Sequence, residues 1–174
     1  MQEHSDIIYR HKNTYDLSEH MRFEAYSFAL GKKWKTTAKR AGFFFAMAAL
    51  IFIVLVIKQE IKPAELILPG IMVLIGILVI AMNGPMGRRL AWNMTPNIHD
   101  MEQEYLFYQD HFDYITPMGQ LSVEYKDIYY IGETANNIYI MLSAQQGMSL
   151  VKRKCPGGLP YFLKLKFEES HGAK

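Results

Sequence analysis

Two uncharged apolar runs constrain the fold of this chain more than any other part of its sequence. The first covers residues 41–57, and the second covers residues 66–87 after a short polar link. At about 1.5 Å per residue, the first run forms a helix about 25 Å long, and the second is long enough to cross a bilayer outright. Backbone groups in lipid must be hydrogen-bonded within the segment, so the sequence predicts an antiparallel transmembrane hairpin over residues 41–87, with helices at about 41–57 and 66–84.

The charges that flank the two runs predict the orientation of the hairpin. Residues 32–40 carry five basic residues and no acidic residue, and Arg88 and Arg89 follow the second run. In the link, basic and acidic residues balance. Because an excess of Lys and Arg in short flanks stays on the cytoplasmic side, we expect a multi-pass protein of the inner (plasma) membrane with both termini in the cytoplasm.

The interiors of both runs lack Asp, Glu, Lys, Arg and His. Ionisable residues within the membrane mark most ion and substrate pathways, so we expect an anchor rather than a conduit. Gly42, Ala46 and Ala49 share one helical face of the first run, and small residues allow close helix packing. We expect this face to pack against Gly70 and Gly76 within the hairpin, with a dimer interface as the alternative.

Residues 1–40 are predicted to form an N-terminal cytoplasmic segment. Residues 6–10 favour a short strand, with Asn13 in the turn that follows. Periodicity predicts an amphipathic helix over residues 18–30, with Asp16 or Ser18 as its N-cap. We expect this helix to pack on the soluble domain or to lead into the first span, and the alternative is a helix that lies on the inner leaflet. Its expected apolar face consists of Leu17, Met21, Ala25 and Phe28.

Residues 93–174 have the pattern of a small soluble domain. Short segments rich in aromatic and β-branched residues alternate with turn residues, which predicts an antiparallel sheet or small open barrel. After Gly158, the periodicity fits a helix and a strand equally well. The expected strands are residues 104–109, 112–116, 120–125, 127–134, 138–142 and 148–152.

The strand segments also resemble the YcxB-like family of bacterial membrane proteins. The similar residues are 15–23, 104–108 with the Asp110-His111 turn, 123–128, 131–134, 138–142 and 150–153. Val151 stands where a proline is usual in that family. The resemblance implies two membrane helices followed by a C-terminal PH-like domain over residues 93–174, with a helix after Gly158. It supplies no catalytic residues. The expected fold class is therefore a membrane α-helical hairpin plus a small α+β domain.

The sequence offers no recognisable catalytic or metal-binding motif. The thiol of Cys155 follows three cations, which would lower its pKa, but no histidine base stands at a suitable spacing. The six histidines are scattered, and only Glu19, His20 and Glu24 place ligand types on one helical face. We therefore expect neither an enzyme nor a cofactor.

The one basic cluster of the soluble domain is Lys152-Arg153-Lys154, which Lys164 and Lys166 could extend. Residues 92–174 carry seven basic and ten acidic residues, which argues against nucleic-acid binding. We expect the cluster to contact anionic lipid or a protein partner, and a solvated strand end is the alternative. Tyr129 and Tyr130 are adjacent, so one of them should face outward and is a weaker candidate contact.

These observations predict a membrane protein that displays a PH-like domain for non-catalytic binding of a protein, a peptide or a lipid headgroup. The partners expected are the lipid bilayer and a protein or a second copy of this chain. The alternative function is a structural or regulatory subunit of a larger membrane complex.

Overall fold

The computed structural model describes residues 6–58 and 61–172, which form two compact units. One unit comprises Met1–Ser27 and Thr95–Lys174, and the other is Phe28–Met94. The domain boundaries predicted from the sequence lie elsewhere, at residues 40 and 93. In the structure, the N-terminal segment contributes to the same unit as the C-terminal domain, and the helical unit is inserted in the chain between them.

The helical unit contains the predicted hairpin. Helices α2 (Lys33–Ile57) and α3 (Ile67–Asn83) pack against each other, and a 3₁₀ turn, Pro63–Leu66, precedes α3. The segments Lys33–Ile57 and Pro63–Asn83 are each long and apolar enough to cross a membrane. Helix α4 follows as Pro85–Asn93, after Gly84 interrupts the helical backbone.

The face of α2 that packs within the hairpin differs from the predicted one. Ala41 and Ala48 are buried, whereas Gly42, Ala46 and Ala49 are exposed. On α3, Gly76 is buried, and a Cβ at this position would lie 2.8 Å from Phe45 Cε1. Ala41 and Ala48 are seven residues apart, close to two helical turns, so they lie on the same face of α2. This face is adjacent to the predicted face, which contains Gly42.

The other unit holds two antiparallel sheets. The first has the order β1 (Tyr9–Tyr15), β2 (Met101–Phe107), β3 (His111–Thr116) and β4 (Gly119–Glu124). The second has the order β5 (Tyr130–Glu133), β6 (Asn137–Met141) and β7 (Gly147–Val151). Both sheets are open, and helix α5 (Leu159–His171) follows them. The structure confirms the predicted fold class, including the helix that the resemblance implied after Gly158.

A single apolar cluster forms the core of this unit. Residues from both sheets and from α5 meet there, and Leu159 and Leu163 of α5 are fully buried. Pro160 lies in the first turn of α5, where its missing N–H has no helical acceptor to lose. The other buried members are Tyr105, Phe107, Phe112, Val123, Tyr125, Ile128, Ile138, Ile140, Met148 and Leu150.

The first strand is longer than predicted and lies further along the chain. Strand β1 pairs with β2 over its whole length, with Asn13 opposite Gln103. Asn13 is therefore buried in a strand and does not lie in a turn. The inward positions of β1 include His11 and Asn13, and these polar residues conceal the alternation of apolar and polar residues on which strand prediction relies.

Helix α1 (Leu17–Leu30) packs on the second sheet through a face that hydrophobicity does not indicate. Its buried residues are Glu19, His20, Phe23 and Ser27, whereas the predicted apolar face is only partly buried. The ring of Tyr26 stacks on that of Tyr139, with centroids 4.0 Å apart. Of the two alternatives, the structure favours the helix that packs on the domain.

Candidate binding cleft

The basic cluster forms a rigid turn directly after β7. Lys152–Lys154 is a 3₁₀ turn, and the Lys152 backbone N–H donates to the Asn136 carbonyl at 2.9 Å. The Lys152 ammonium pairs with Glu133. Arg153 and Lys154 are exposed, and neither has an acidic group within 4.0 Å among residues 6–58 and 61–172. The predicted cluster therefore presents two free cations at the surface.

This turn forms one wall of a cleft of about 160 Å³. We call it the β1–β7 cleft, and its opposite wall is the end of β1 with the first turns of α1. The β1–α1 wall consists of Asn13, Thr14, Asp16, Ser18, Glu19 and Arg22. The wall around β7 consists of Ala135, Asn136, Val151, Lys152, Arg153 and Lys154.

Asp16 fixes the start of α1 at the mouth of the cleft. Its Oδ1 accepts hydrogen bonds from the Glu19 backbone N–H at 2.9 Å and from the Ser18 hydroxyl at 2.8 Å. Asp16 is therefore the N-cap, and the structure selects it over Ser18. These hydrogen bonds to the charged form lower the pKa of the Asp16 carboxyl despite partial burial, which raises it.

Glu19 is a buried carboxylate with partners on both sheet strands beside it. Its Oε2 accepts from Asn137 Nδ2 of β6 and from Ser149 Oγ of β7 at 3.5 Å. Its Oε1 accepts from Arg22 Nη1 at 2.9 Å. Because both oxygens are engaged, Glu19 holds α1 on the second sheet and directs the guanidinium of Arg22 to the mouth of the cleft.

Asn13 contributes a buried acceptor that has no partner. Its Nδ2 donates to the Ser149 carbonyl at 3.5 Å, which identifies the other amide atom as the oxygen. That Oδ1 has no hydrogen-bond partner among the described residues, and the Asn13 side chain is only 3% exposed. An unpaired buried acceptor costs free energy, so a natural protein that retains one calls for an explanation.

His11 links β1 to the basic turn through a hydrogen bond to the backbone. Its Nδ1 lies 3.2 Å from the Lys154 carbonyl, and since a carbonyl can only accept, Nδ1 carries the proton. Desolvation lowers the pKa of His11, with a smaller opposing effect from this hydrogen bond. The histidine is therefore a neutral structural residue that fixes the backbone of the turn.

The environment of Cys155 differs from the prediction. Burial raises the pKa of its thiol to about 11, and the nearby Lys152 opposes this only weakly. The thiol donates to the Val151 carbonyl at 3.5 Å. The adjacent cations therefore do not produce a thiolate, because Arg153 and Lys154 are exposed and Lys152 pairs with Glu133, while the thiol is half-buried.

The remaining candidates lie away from the cleft lining. Lys164 and Lys166 are on α5 and pair with Glu168 and Glu169 of the same helix. Tyr129 and Tyr130 are both exposed, so the expected division into one inward and one outward ring does not hold. Among the described residues, no group of three or more His, Cys, Asp or Glu side chains could hold a metal ion.

Sequence reasoning identified the basic wall of the cleft but missed the opposite one. The sequence predicts Asn13 in a turn, offers Glu19 only as a possible metal ligand and assigns no role to Arg22. One signal was available, since Glu19 and Arg22 are three residues apart on a predicted helix and of opposite charge. Their relation to β7 depends on tertiary packing and has no local signature.

Comparison with known proteins connects the C-terminal part of the chain to one family. The model of the family described as YcxB-like protein matches residues 107–165, from the end of β2 into α5. No curated protein and no solved structure matches the chain. The matched stretch includes the basic turn and excludes β1 and α1. Over residues 107–165 the chain is thus similar to the YcxB-like family, which confirms the predicted resemblance for this part of the chain.

Proposed function

We propose that this protein is a membrane-anchored, non-catalytic binding module that recognises an anionic group at the β1–β7 cleft. In this proposal the hairpin spans the inner (plasma) membrane, and both termini and the soluble domain lie in the cytoplasm. A four-stranded sheet, a three-stranded sheet and a C-terminal helix support a PH-like assignment of the domain.

One observation carries the proposal. Arg153 and Lys154 are exposed cations without acidic partners in the described part of the chain, and they stand beside a polar cleft. Their charges need not be released from existing ion pairs before they bind an anion. An anionic lipid surface would gain about 1 kcal/mol for each such charge.

The size of the cleft favours a lipid headgroup over a protein or peptide. Sites for larger organic ligands enclose about 300–1,000 Å³, whereas this cleft encloses about 160 Å³. The raised thiol pKa of Cys155 also supports a non-catalytic role, because the thiolate is the reactive form.

Vesicle binding by the full-length protein tests this function. The protein is placed in nanodiscs of neutral lipid and mixed at low salt with vesicles that contain or lack anionic phospholipid. We expect binding to anionic vesicles only, and we expect Arg153→Gln with Lys154→Gln to weaken it by about 2 kcal/mol, or roughly 30-fold. The matched control, Lys164→Gln with Lys166→Gln, removes the same charge from α5.

Equal weakening by both pairs of substitutions would reduce the effect to net charge and would contradict a role for the cleft. Absence of binding to any vesicle would contradict the lipid headgroup. A reporter that is active only in the periplasm, fused at the C-terminus, tests the orientation. Activity of that reporter would contradict a cytoplasmic domain.

A second candidate function, a subunit of a larger membrane complex, rests on the outward face of the hairpin. Gly42 and Gly70 are exposed, and a Cβ at either position would meet nothing within 4 Å. Gly70 also lines an apolar groove of about 500 Å³. Small residues on an exposed helix face permit close approach of another helix. In-cell crosslinking of the full-length protein tests this candidate, and recovery of this chain alone would contradict it.

A further inference from the structure

The β1–β7 cleft contains charges of both signs, and its cations are in excess. Four cationic and two acidic side chains line it. Both carboxylates are already used, since Asp16 caps α1 and Glu19 accepts from Arg22, Asn137 and Ser149. The cations Arg153 and Lys154 are not used in this way. The part of the lining that remains open to a ligand is therefore positive.

Arg22 adds a directed donor to this positive wall. One of its guanidinium nitrogens bonds to Glu19 at 2.9 Å, and its side chain remains 44% exposed. A guanidinium carries five N–H donors in a planar fork, so one bond to Glu19 leaves donors for a ligand. This fork matches the oxygens of a phosphate group, whereas a lysine supplies only a point charge.

Asn13 adds a requirement that a simple anion does not meet. Asn13 lines the cleft, and its Oδ1 is a buried acceptor that has no partner in the described part of the chain. Sulfate, or a phosphate monoester in its dianionic form, brings only acceptors and would leave this oxygen unpaired. A ligand that carries a hydroxyl beside its phosphate would donate to Asn13 while its phosphate oxygens accept from Arg22, Arg153 and Lys154.

We infer that the β1–β7 cleft binds a phosphate that carries a neighbouring hydroxyl group, as in a glycerophosphate headgroup or a small sugar phosphate. This inference rests on the proposed function and specifies its ligand. At about 30 Å³ for each water, 160 Å³ corresponds to about five water molecules, which suits a ligand of this size. The same chemistry is present in a phosphatidylglycerol headgroup and in free glycerol phosphate.

Calorimetric titration of the full-length protein in neutral-lipid nanodiscs tests the inference. The titrants are glycerol 3-phosphate, methyl phosphate, sulfate and glycerol, at about pH 8, where both phosphate monoesters are dianions without a P–OH group. We expect glycerol 3-phosphate to bind about tenfold more tightly than methyl phosphate or sulfate, and glycerol not to bind. This comparison needs no variant, so it does not depend on the folding of a mutant protein.

Two variants separate the contributions of hydroxyl and phosphate recognition. Asn13→Leu should remove the preference for glycerol 3-phosphate over methyl phosphate while the Tm stays the same or rises, because an unpaired acceptor is lost. Arg153→Gln with Lys154→Gln should weaken both ligands alike. Lys164→Gln with Lys166→Gln on α5 is the control and should change neither.

Native mass spectrometry distinguishes the two sources of the ligand. Selective retention of phosphatidylglycerol over phosphatidylmethanol, which has the same charge but no headgroup hydroxyl, supports a lipid headgroup if it is lost in Asn13→Leu. Binding of glycerol 3-phosphate without this retention supports a free phosphorylated polyol.

The outcomes also separate this inference from the proposed function. Equal affinities for glycerol 3-phosphate, methyl phosphate and sulfate, all sensitive to Arg153 and Lys154, would overturn the hydroxyl requirement but leave anion binding intact. No binding of any anion, in either the titration or the vesicle assay, would overturn both.

Discussion

The two units of this chain use the same residue types in opposite ways. In the helical unit, large apolar side chains face outward, and Leu74 is 64% exposed. In the sheet unit, Leu163 of α5 is fully buried. The difference follows from the solvent that each unit is built for, because lipid accepts apolar surface that water excludes. The continuous exposed apolar surface of the hairpin therefore indicates a membrane, whereas scattered exposed leucines of the domain, such as Leu121 and Leu165, are ordinary on a surface that faces water.

The units also differ in where polar groups can be buried. The predicted spans contain no ionisable residue, whereas the sheet unit buries Glu19 among Asn137 and Ser149. A buried carboxylate is tolerated there because the sheet supplies donors to one of its oxygens and Arg22 of α1 supplies a donor to the other. The buried polar groups of the domain are therefore the place where a specific ligand could be recognised. The apolar hairpin is the part that determines location.

A matched pair of leucine substitutions, one in each unit, should show the largest difference in the free energy of unfolding. Leu163→Ala should lower the free energy of unfolding by about 2–5 kcal/mol, because it leaves a cavity in the core. Leu74→Ala should change it by no more than about 0.5 kcal/mol, since this side chain faces outward. Guanidinium unfolding of the full-length protein in detergent, followed by near-UV circular dichroism, measures both. Similar losses for the two variants would contradict the opposite use of leucine.

Removal of the buried Glu19 carboxylate tests how much the buried polar groups stabilise the sheet unit. Glu19→Ala should cost about 2–3 kcal/mol, because Asn137 and Ser149 lose the acceptor that they share inside the domain. Glu168→Ala on α5 is the control, since Glu168 is exposed and its ion pair with Lys164 is long, at 3.9 Å. A Glu19 variant as stable as the Glu168 variant would show that α1 does not rely on this carboxylate.

The close approach of α1 to the second sheet can be tested at Gly132. A Cβ at this position would overlap the hydroxyl of Tyr26, so Gly132→Ala should cost about 1–3 kcal/mol through displacement of α1. Gly157→Ala places its methyl in open space and serves as the control. Addition of Tyr26→Ala should remove most of the penalty at Gly132 in a double-mutant cycle. Persistence of the full penalty would locate the strain elsewhere.

The smallest expected effect is the pH dependence that His11 contributes. Burial lowers its pKa below the ordinary value of 6.5, so the unfolded chain binds a proton at a pH where the folded chain does not. Stability should therefore be constant above about pH 6.5 and fall as the pH drops through the interval below it. His11→Gln should flatten this part of the profile in the same unfolding assay. A decline that is unchanged in His11→Gln would assign it to another group.

The hairpin could be predicted from the sequence because a span depends only on length and the absence of charge. The strands that follow residue 100 were also predictable, because their inward positions are apolar. Strand β1 and the packing face of α1 were not, since Asn13 and Glu19 occupy inward positions and are paired only through tertiary contacts. The same residues form part of the β1–α1 wall of the candidate cleft, so this wall was missed for the same physical reason.

The central claim is that β1 and α1 belong to the same domain as the basic turn, although the hairpin separates them in the chain. Thr14 lies opposite Glu102 across the β1–β2 pair. In the Cys155→Ser background, Thr14→Cys with Glu102→Cys should form an intramolecular disulfide on mild oxidation. Thr14→Cys with Gln120→Cys should not, because β4 lies three strand spacings from β1, about 14 Å. Failure of the first pair, or equal crosslinking of both, would contradict the claim.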